Sequence, residues 1–327
     1  MFQDAIDEFW EWWAGVRDDI AAEVADGALS DDFIDDIGDR VWRIHPELEW
    51  QLTGGVEARN SLNLVSGGSR LLRLVAELWR RMGPPADEEW EHHPARLPFG
   101  LTAFEMGGIE IDPSEGRFES SWDELYERLD LTISHPGFVE LTEDEARDAA
   151  LHLLDGTLGE DAVERWIGII ETSDDPSGGD PLFTLRSDID GVAASATGAS
   201  WERVDDQYDG VVVASVNRAA KWIDHLAKPI YAELTITALA SGDDGLPVPL
   251  EQKRIEASVA ELQSALGYNA IFIGAATGEG EHTVHFFMAP GEEVEATLRE
   301  WREGQDNREI AIELVPDEQW TNADQWE

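Results

Sequence analysis

The chain has 327 residues, 42% of them hydrophobic and 14 of them tryptophan, which suffices for two packed domains and excludes global disorder. It contains no cysteine, so disulfides, thiolate metal ligands and a cysteine nucleophile are excluded. Seventy acidic residues against 23 basic ones give a net charge of −47, which argues against a basic face for DNA or RNA.

The acidity is spread along the chain. Residues 1–40 carry 13 acids and 2 bases, residues 41–100 carry 8 and 7, and the rest of the excess is dispersed to the end. No acidic tail stands out. Only Lys221, Lys228 and Lys253 are lysines; the other 20 bases are arginines. Few lysine stems and many hydrated carboxylates point to a surface adapted to high salt, where screening removes most of the self-repulsion. An arginine-rich composition without salt adaptation is the alternative. No stretch of 18 apolar residues occurs, and Met1-Phe2-Gln3-Asp4 lacks the basic and apolar regions of a leader. A cytoplasmic address with no membrane contact is the expectation.

In chain order, Phe2, Ile6, Phe9, Trp13, Val16, Ile20 and Val24 recur at helical spacing, flanked by Trp10 and Trp12. Such a stripe either docks on the domain's own core or engages a partner. Gly27 ends this long helix, and Ser30 or Asp31 can cap a second one through Ile34, Ile37 and Val41. Strands follow at 48–52 and 62–64, a helix through Leu71–Leu78 after Ser66-Gly67-Gly68-Ser69, and a strand at 90–95. Next, Phe104–Ile111 and Phe118–Trp122 read as a hairpin turned by Asp112–Gly116, and Leu129–Ser134 as a strand. Thr142 and Glu145 form a capping box for a helix through Leu154, and Arg165–Glu171 reads as a closing strand. The expected N-terminal domain (residues 1–175) is α+β, with an antiparallel sheet and the long first helix.

Residues 176–200, rich in Ser, Asp, Pro, Gly and Ala, read as a linker to a C-terminal domain at 201–327. There, 232–240 alternates as a strand and 250–266 carries a helical stripe. Strands at 270–276 and 282–288 flank Thr277-Gly278-Glu279-Gly280, a helix spans 291–303, and 309–315 alternates again. The order β-α-β-β-α-β predicts a ferredoxin-like sheet with helices on one face.

Trp201, Tyr208 and Gly210, then Gly245-Leu246-Pro247, Gly274 with Thr277 and Gly278, His285-Phe286-Phe287 and Pro316-Asp317-Glu318-Gln319-Trp320 give residues 200–320 a further character. This half resembles the domain of unknown function 695 family of prokaryotic proteins. Ahead of it, the Trp-rich helix, Ile44-His45-Pro46 and Leu158-Gly159-Glu160 before Trp166 resemble the region that precedes that domain. The resemblance implies architecture and no catalytic residues.

Two polar groups in the N-terminal domain are candidates for ligand binding. His92-His93-Pro94 with Arg96 is the densest, although neighbours on a strand point to opposite faces and cannot share a metal without a bulge. His45, His92 or His93, and His135 make a zinc site only if the fold gathers them, and no spacing requires it, so neither metal nor cofactor is expected. Ser66–Ser69 can present backbone N–H groups to an anion, with Arg70 and Arg73 nearby, but no Gly-Lys-Ser/Thr follows. His282 and His285 fall on opposite strand faces.

Two functional readings follow from these residues. One reading is a non-enzymatic binding or regulatory protein whose clustered Trp10, Trp12 and Trp13 engage another protein. The other is a small-ligand binder or metal-dependent enzyme with its site around His92, His93, Arg96, Ser69, Arg70 and Arg73.

Overall fold

The computed structural model describes residues 2–100, 102–206, 212–305 and 308–326. The chain divides into two compact units, Met1–Trp122 with Arg128–Ser195, and Asp123–Glu127 with Ala196–Glu327.

The first unit opens with helices α1 (Phe2–Ala25) and α2 (Asp31–Ile44), strands β1 (Glu49–Gly54) and β2 (Asn60–Val65), helix α3 (Arg70–Met82) and strand β3 (Trp90–His93). The stripe on α1 packs inward: Ile6, Phe9, Trp13 and Ile20 are fully buried, with Leu62, Leu64, Trp79 and Trp90 around them. Ser30 stands at the start of α2, but its side chain makes no cap; its N–H donates to Glu23 instead, at 2.8 Å. β1 and β2 are antiparallel, whereas β2 and β3 run parallel. The expected antiparallel sheet is thus mixed, because α3 carries the chain back across the sheet before β3 begins, as a parallel pair requires.

The unit continues through strands β4 (Phe104–Met106), β5 (Ile109–Ile111), β6 (Arg117–Asp123) and β7 (Arg128–Ser134), then helices α4 (Glu143–Leu158) and α5 (Glu160–Trp166). Strands β8 (Ile167–Ser173) and β9 (Asp180–Pro181) and helix α6 (Leu185–Ala193) complete it. The expected 104–122 hairpin does not form. β4 and β5 pair with each other around Gly107 and Gly108, both at positive φ, while β6 joins a separate sheet ordered β8-β7-β6-β9. β7 and β8 are parallel, again across intervening helices. The Thr142–Glu145 capping box is present on α4. The stretch expected as a linker is largely structured: Leu182, Leu185 and Ile189 are buried in this second core, a stripe that short spacing among Ser and Ala concealed.

The second unit contains strands β10 (Trp201–Asp206), β11 (Val212–Asn217) and β12 (Ile230–Thr237), helix α7 (Pro249–Leu266), strands β13 (Ala270–Gly278) and β14 (Glu281–Met288), helix α8 (Glu292–Glu303) and strand β15 (Ile310–Pro316). They make one six-stranded sheet, ordered β10-β11-β13-β14-β12-β15, in which every neighbouring pair is antiparallel. Ile255, Leu262 and Leu266 of α7 and Leu298 of α8 pack on Leu234, Val284 and Phe286. The opposite face is covered from the C-terminus: Trp320 stacks on Phe287 at 4.2 Å, and the Trp326 ring lies over Gly274, where an added Cβ would come within 3.0 Å of it. Among the described residues no helix is long and apolar enough to cross a membrane.

Candidate functional site

The loop after β2 binds an anion, and the anion is part of the chain. Gly67 and Gly68 take left-handed φ values of 56° and 79°, which turns the backbone N–H groups inward. The carboxylate of Glu160, 9% exposed, accepts from Ser66 N at 3.1 Å, Gly68 N at 3.4 Å and Arg96 N at 3.1 Å, and from the Ser66 hydroxyl. Ser69 caps α3, accepting from Leu72 N. Arg70 opens that helix. Arg73 is buried, with Nε and Nη2 at 3.2 and 3.1 Å from the Asp161 carboxylate and Nη1 3.6 Å from Glu77. Glu160 and Arg73 thus spend their charge on groups of the chain itself.

His92 and His93 do face opposite ways. His92, 8% exposed, meets Trp10, Trp13 and Trp79 edge-on at ring distances of 4.8, 5.7 and 5.8 Å. Among the described residues neither of its nitrogens has a hydrogen-bond partner, and burial pushes its pKa down to about 4, so it is neutral. Trp13 has no exposed surface and Trp10 donates its indole N–H to Trp79 O at 2.9 Å. Trp12 is partly buried, with the Arg40 guanidinium 4.5 Å above its ring. Trp10 and Trp13 therefore build the core and are not presented to solvent.

His93 points the other way, and its Nε2 lies 3.1 Å from Glu91. Burial acts to raise the Glu91 pKa, but the N–H groups of Val56, Glu57 and Ala58, together with His93, bring it down to about 2. The ionised carboxylate fixes the proton on Nε2 and leaves Nδ1 as the other ring nitrogen.

His93 and Arg96 line a cleft of about 270 Å³. It forms because the elbow between α4 and α5 presses on the 96–98 segment. Gly159 has a φ of 82°, and a Cβ there would sit 2.8 Å from Pro98 and 2.9 Å from Arg96 O. Backbone bonds from Glu160 N to Arg96 O and from Phe99 N to Gly156 O hold the two together. Two further arginines reach the same space, Arg165 from α5 and Arg186 from α6. Leu97, Leu158, Trp166 and Ile189 supply apolar wall.

The guanidiniums of the cleft have partners within the chain. Asp161 and Asp190 are the two acids of the lining; Asp161 is held by Arg73, and Asp190 lies 3.7 Å from Arg186. Arg96 lies 3.4 Å from Glu49 and 3.6 Å from Asp155, whose pKa burial raises to about 6, with Arg96 opposing and Glu160 adding to the rise. Three guanidiniums gather in one lining of a chain of net charge −47, with Glu49 and Asp155 beside Arg96 in addition to the lining acids Asp161 and Asp190. Sequence reading missed Arg165 and Arg186 because they lie 69 and 90 positions after Arg96, and missed Glu160 because it is one of 70 acids.

His45, His135, His282 and His285 make local hydrogen bonds. His45 ends α2 and accepts from Glu47 N, while His135, 1% exposed, bonds Asp112 O and Gly137 N. Among the described residues no three His, Asp or Glu side chains gather as a metal needs. In the second unit His282 lies on the helix-covered face, Nδ1 2.7 Å from Thr277 Oγ1, and His285 on the other, Nδ1 2.6 Å from Tyr231 OH. Tyr208 and Gly210 lie outside the described residues.

No curated protein matches the chain. Residues 200–323, nearly all of the second unit, match the model of the Family of unknown function (DUF695), the family whose likeness Trp201, Gly245-Leu246-Pro247 and His285-Phe286-Phe287 carry in the sequence.

Proposed function

We propose that the protein acts by binding, and that its N-terminal unit takes a small organic anion in the cleft of His93, Arg96, Arg165 and Arg186. One observation carries the reading: three guanidiniums converge on an apolar-walled cleft of a strongly acidic chain. A guanidinium offers a planar pair of donors suited to a carboxylate or phosphate, and the apolar wall suits a carbon skeleton. The volume, about 270 Å³, sits at the lower end of ligand cavities and favours a compact acid.

A panel of mono- and dicarboxylates and phosphate esters, screened by thermal shift, tests this. A ligand at a hundred times its Kd stabilises the folded state by about 2.7 kcal/mol, a shift of several degrees. Arg186→Ala, at a side chain that is 53% exposed, is expected to abolish the shift without lowering the ligand-free melting temperature. A panel with no responder removes the reading.

Contact with another protein is the second reading, and its support is Trp42. That ring is 63% exposed on α2, with Ile34 of the same helix 42% exposed. The C-terminal unit is read as ferredoxin-like. Its support is the order β12-α7-β13-β14-α8-β15 along the chain and β15-β12-β14-β13 across the sheet, with β11 and β10 added beyond β13. A cytoplasmic address goes with both readings.

A further inference from the structure

We propose that the C-terminal unit holds a separate binding site for an uncharged, planar nitrogen heterocycle of the nucleobase class, in the cleft beside α7. The sheet is wider than its helices. The core residues of α7 and α8 pack over β12, β13, β14 and β15, and strands β10 and β11 extend the sheet past that cover. The result is a cleft of about 520 Å³, well inside the range of small-molecule sites.

Strand register decides what forms the floor. Val213 pairs with Thr277, which pairs with His282, and Ser215 pairs with both Arg203 and Ala275. These side chains share one face of the sheet and line the cleft. From α7, Gln252, Glu256, Val259 and Gln263 recur at helical spacing and form the wall. Trp201 stands at the rim of the cleft, 44% exposed.

The polar atoms are those of neutral recognition. His282 is 6% exposed and its Nδ1 is tied to Thr277, so a neutral ring has one further hydrogen bond to make, through Nε2; no partner for it occurs among the described residues. Gln252 donates its amide N–H to Glu256 Oε1 at 2.9 Å, which fixes the amide orientation, and its own Oε1 is buried without a partner. Gln263 adds a second amide. One arginine and one carboxylate line the cleft, so the lining carries no excess charge. Amides, an imidazole and hydroxyls interleaved with Val213, Ala275 and Val259, with an indole at the rim, match a flat ring that carries its own N–H donors and ring-nitrogen acceptors.

Titration calorimetry of the full chain with adenosine, guanosine, cytidine and uridine tests the site, with free amino acids as a parallel arm. At least one nucleoside is expected to saturate. Trp201→Ala should weaken it about tenfold, because stacking on an aromatic ring contributes on that scale. Gln263→Leu should also weaken it, while Arg147→Ala, at an exposed position of α4 in the other unit, leaves it unchanged. Near-UV circular dichroism checks that both cleft variants fold as the parent does. The proposal is overturned if no nucleoside saturates, if the two cleft variants bind like the parent, or if only amino acids bind. Failure of the organic-anion reading leaves this result untouched, since the residues are different.

Discussion

His92 shows at the residue scale what a sequence withholds. Its position in a His-His-Pro-Arg run suggests chemistry, but the fold places it among three indoles with both nitrogens unpaired. Its pKa falls from the ordinary 6.5 to about 4, so the folded state binds its proton less readily than the unfolded chain does. The stabilising contribution is complete above pH 6.5 and is lost as the pH falls toward 4. His285, also at about 4, acts in the same direction. Replacing the unpaired imidazole by an apolar group of similar size removes an uncompensated polar burial. His92→Leu is therefore expected to stabilise the protein by about 1 kcal/mol at pH 7 and by more at pH 5, as read from urea unfolding at both values. A loss of stability at pH 7 would mean that the ring has a hydrogen-bonding role. Glu160 carries the matching lesson for anion binding. Ser66–Ser69 reads as a nest for an anionic ligand, yet nothing in the sequence says that the chain sets its own carboxylate against Ser66 and Gly68.

At the scale of elements, regular periodicity was legible and long-range pairing was not. The stripes of α1, α4 and α7 and the alternation of β12 and β14 can be read directly, because one buried face imposes a period. The parallel pairing of β2 with β3 could not be read, since it depends on where α3 lands. Likewise β4 and β5 close on themselves through Met106-Gly107-Gly108, and the Asp112–Gly116 turn merely passes the chain to another sheet. The tryptophans of α1 looked like a docking surface for the same reason that they make a good core: all are large and closely spaced. Burial assigns Trp10 and Trp13 to the interior and leaves Trp42 on α2 as an exposed ring. If this unit meets another protein there, Trp42→Ser should abolish capture of that protein from cell extract while leaving the melting temperature within about a degree, as surface substitutions do. Equal capture by the parent and the variant would exclude α2.

The whole molecule is governed by its charge. Many carboxylates have structural partners: Glu91 and Glu160 close backbone turns, Asp317 accepts from Thr321 and Asn322, and Glu251 pairs with Arg308. Most of the excess nevertheless remains at the surface, and self-repulsion at a net charge of −47 destabilises the compact state in dilute buffer. Salt at 1 M shortens the Debye length to about 3 Å and removes most of that cost. The melting temperature is therefore expected to rise steadily from dilute buffer to molar KCl; a flat response would contradict a salt-adapted surface. The same field bears on ligand entry. If an organic anion binds in the cleft, it approaches a repelling molecule, and its association should quicken as salt screens the long-range repulsion.

Titration calorimetry of the full chain with small carboxylates and phosphate esters, in dilute buffer and in molar KCl, weighs that cleft most directly. A single saturable site, lost in both Arg165→Ala and Arg186→Ala and retained in Lys253→Ala, is the predicted result. An isotherm without saturation for every acid tried, or equal binding by the arginine variants and the parent, would contradict it.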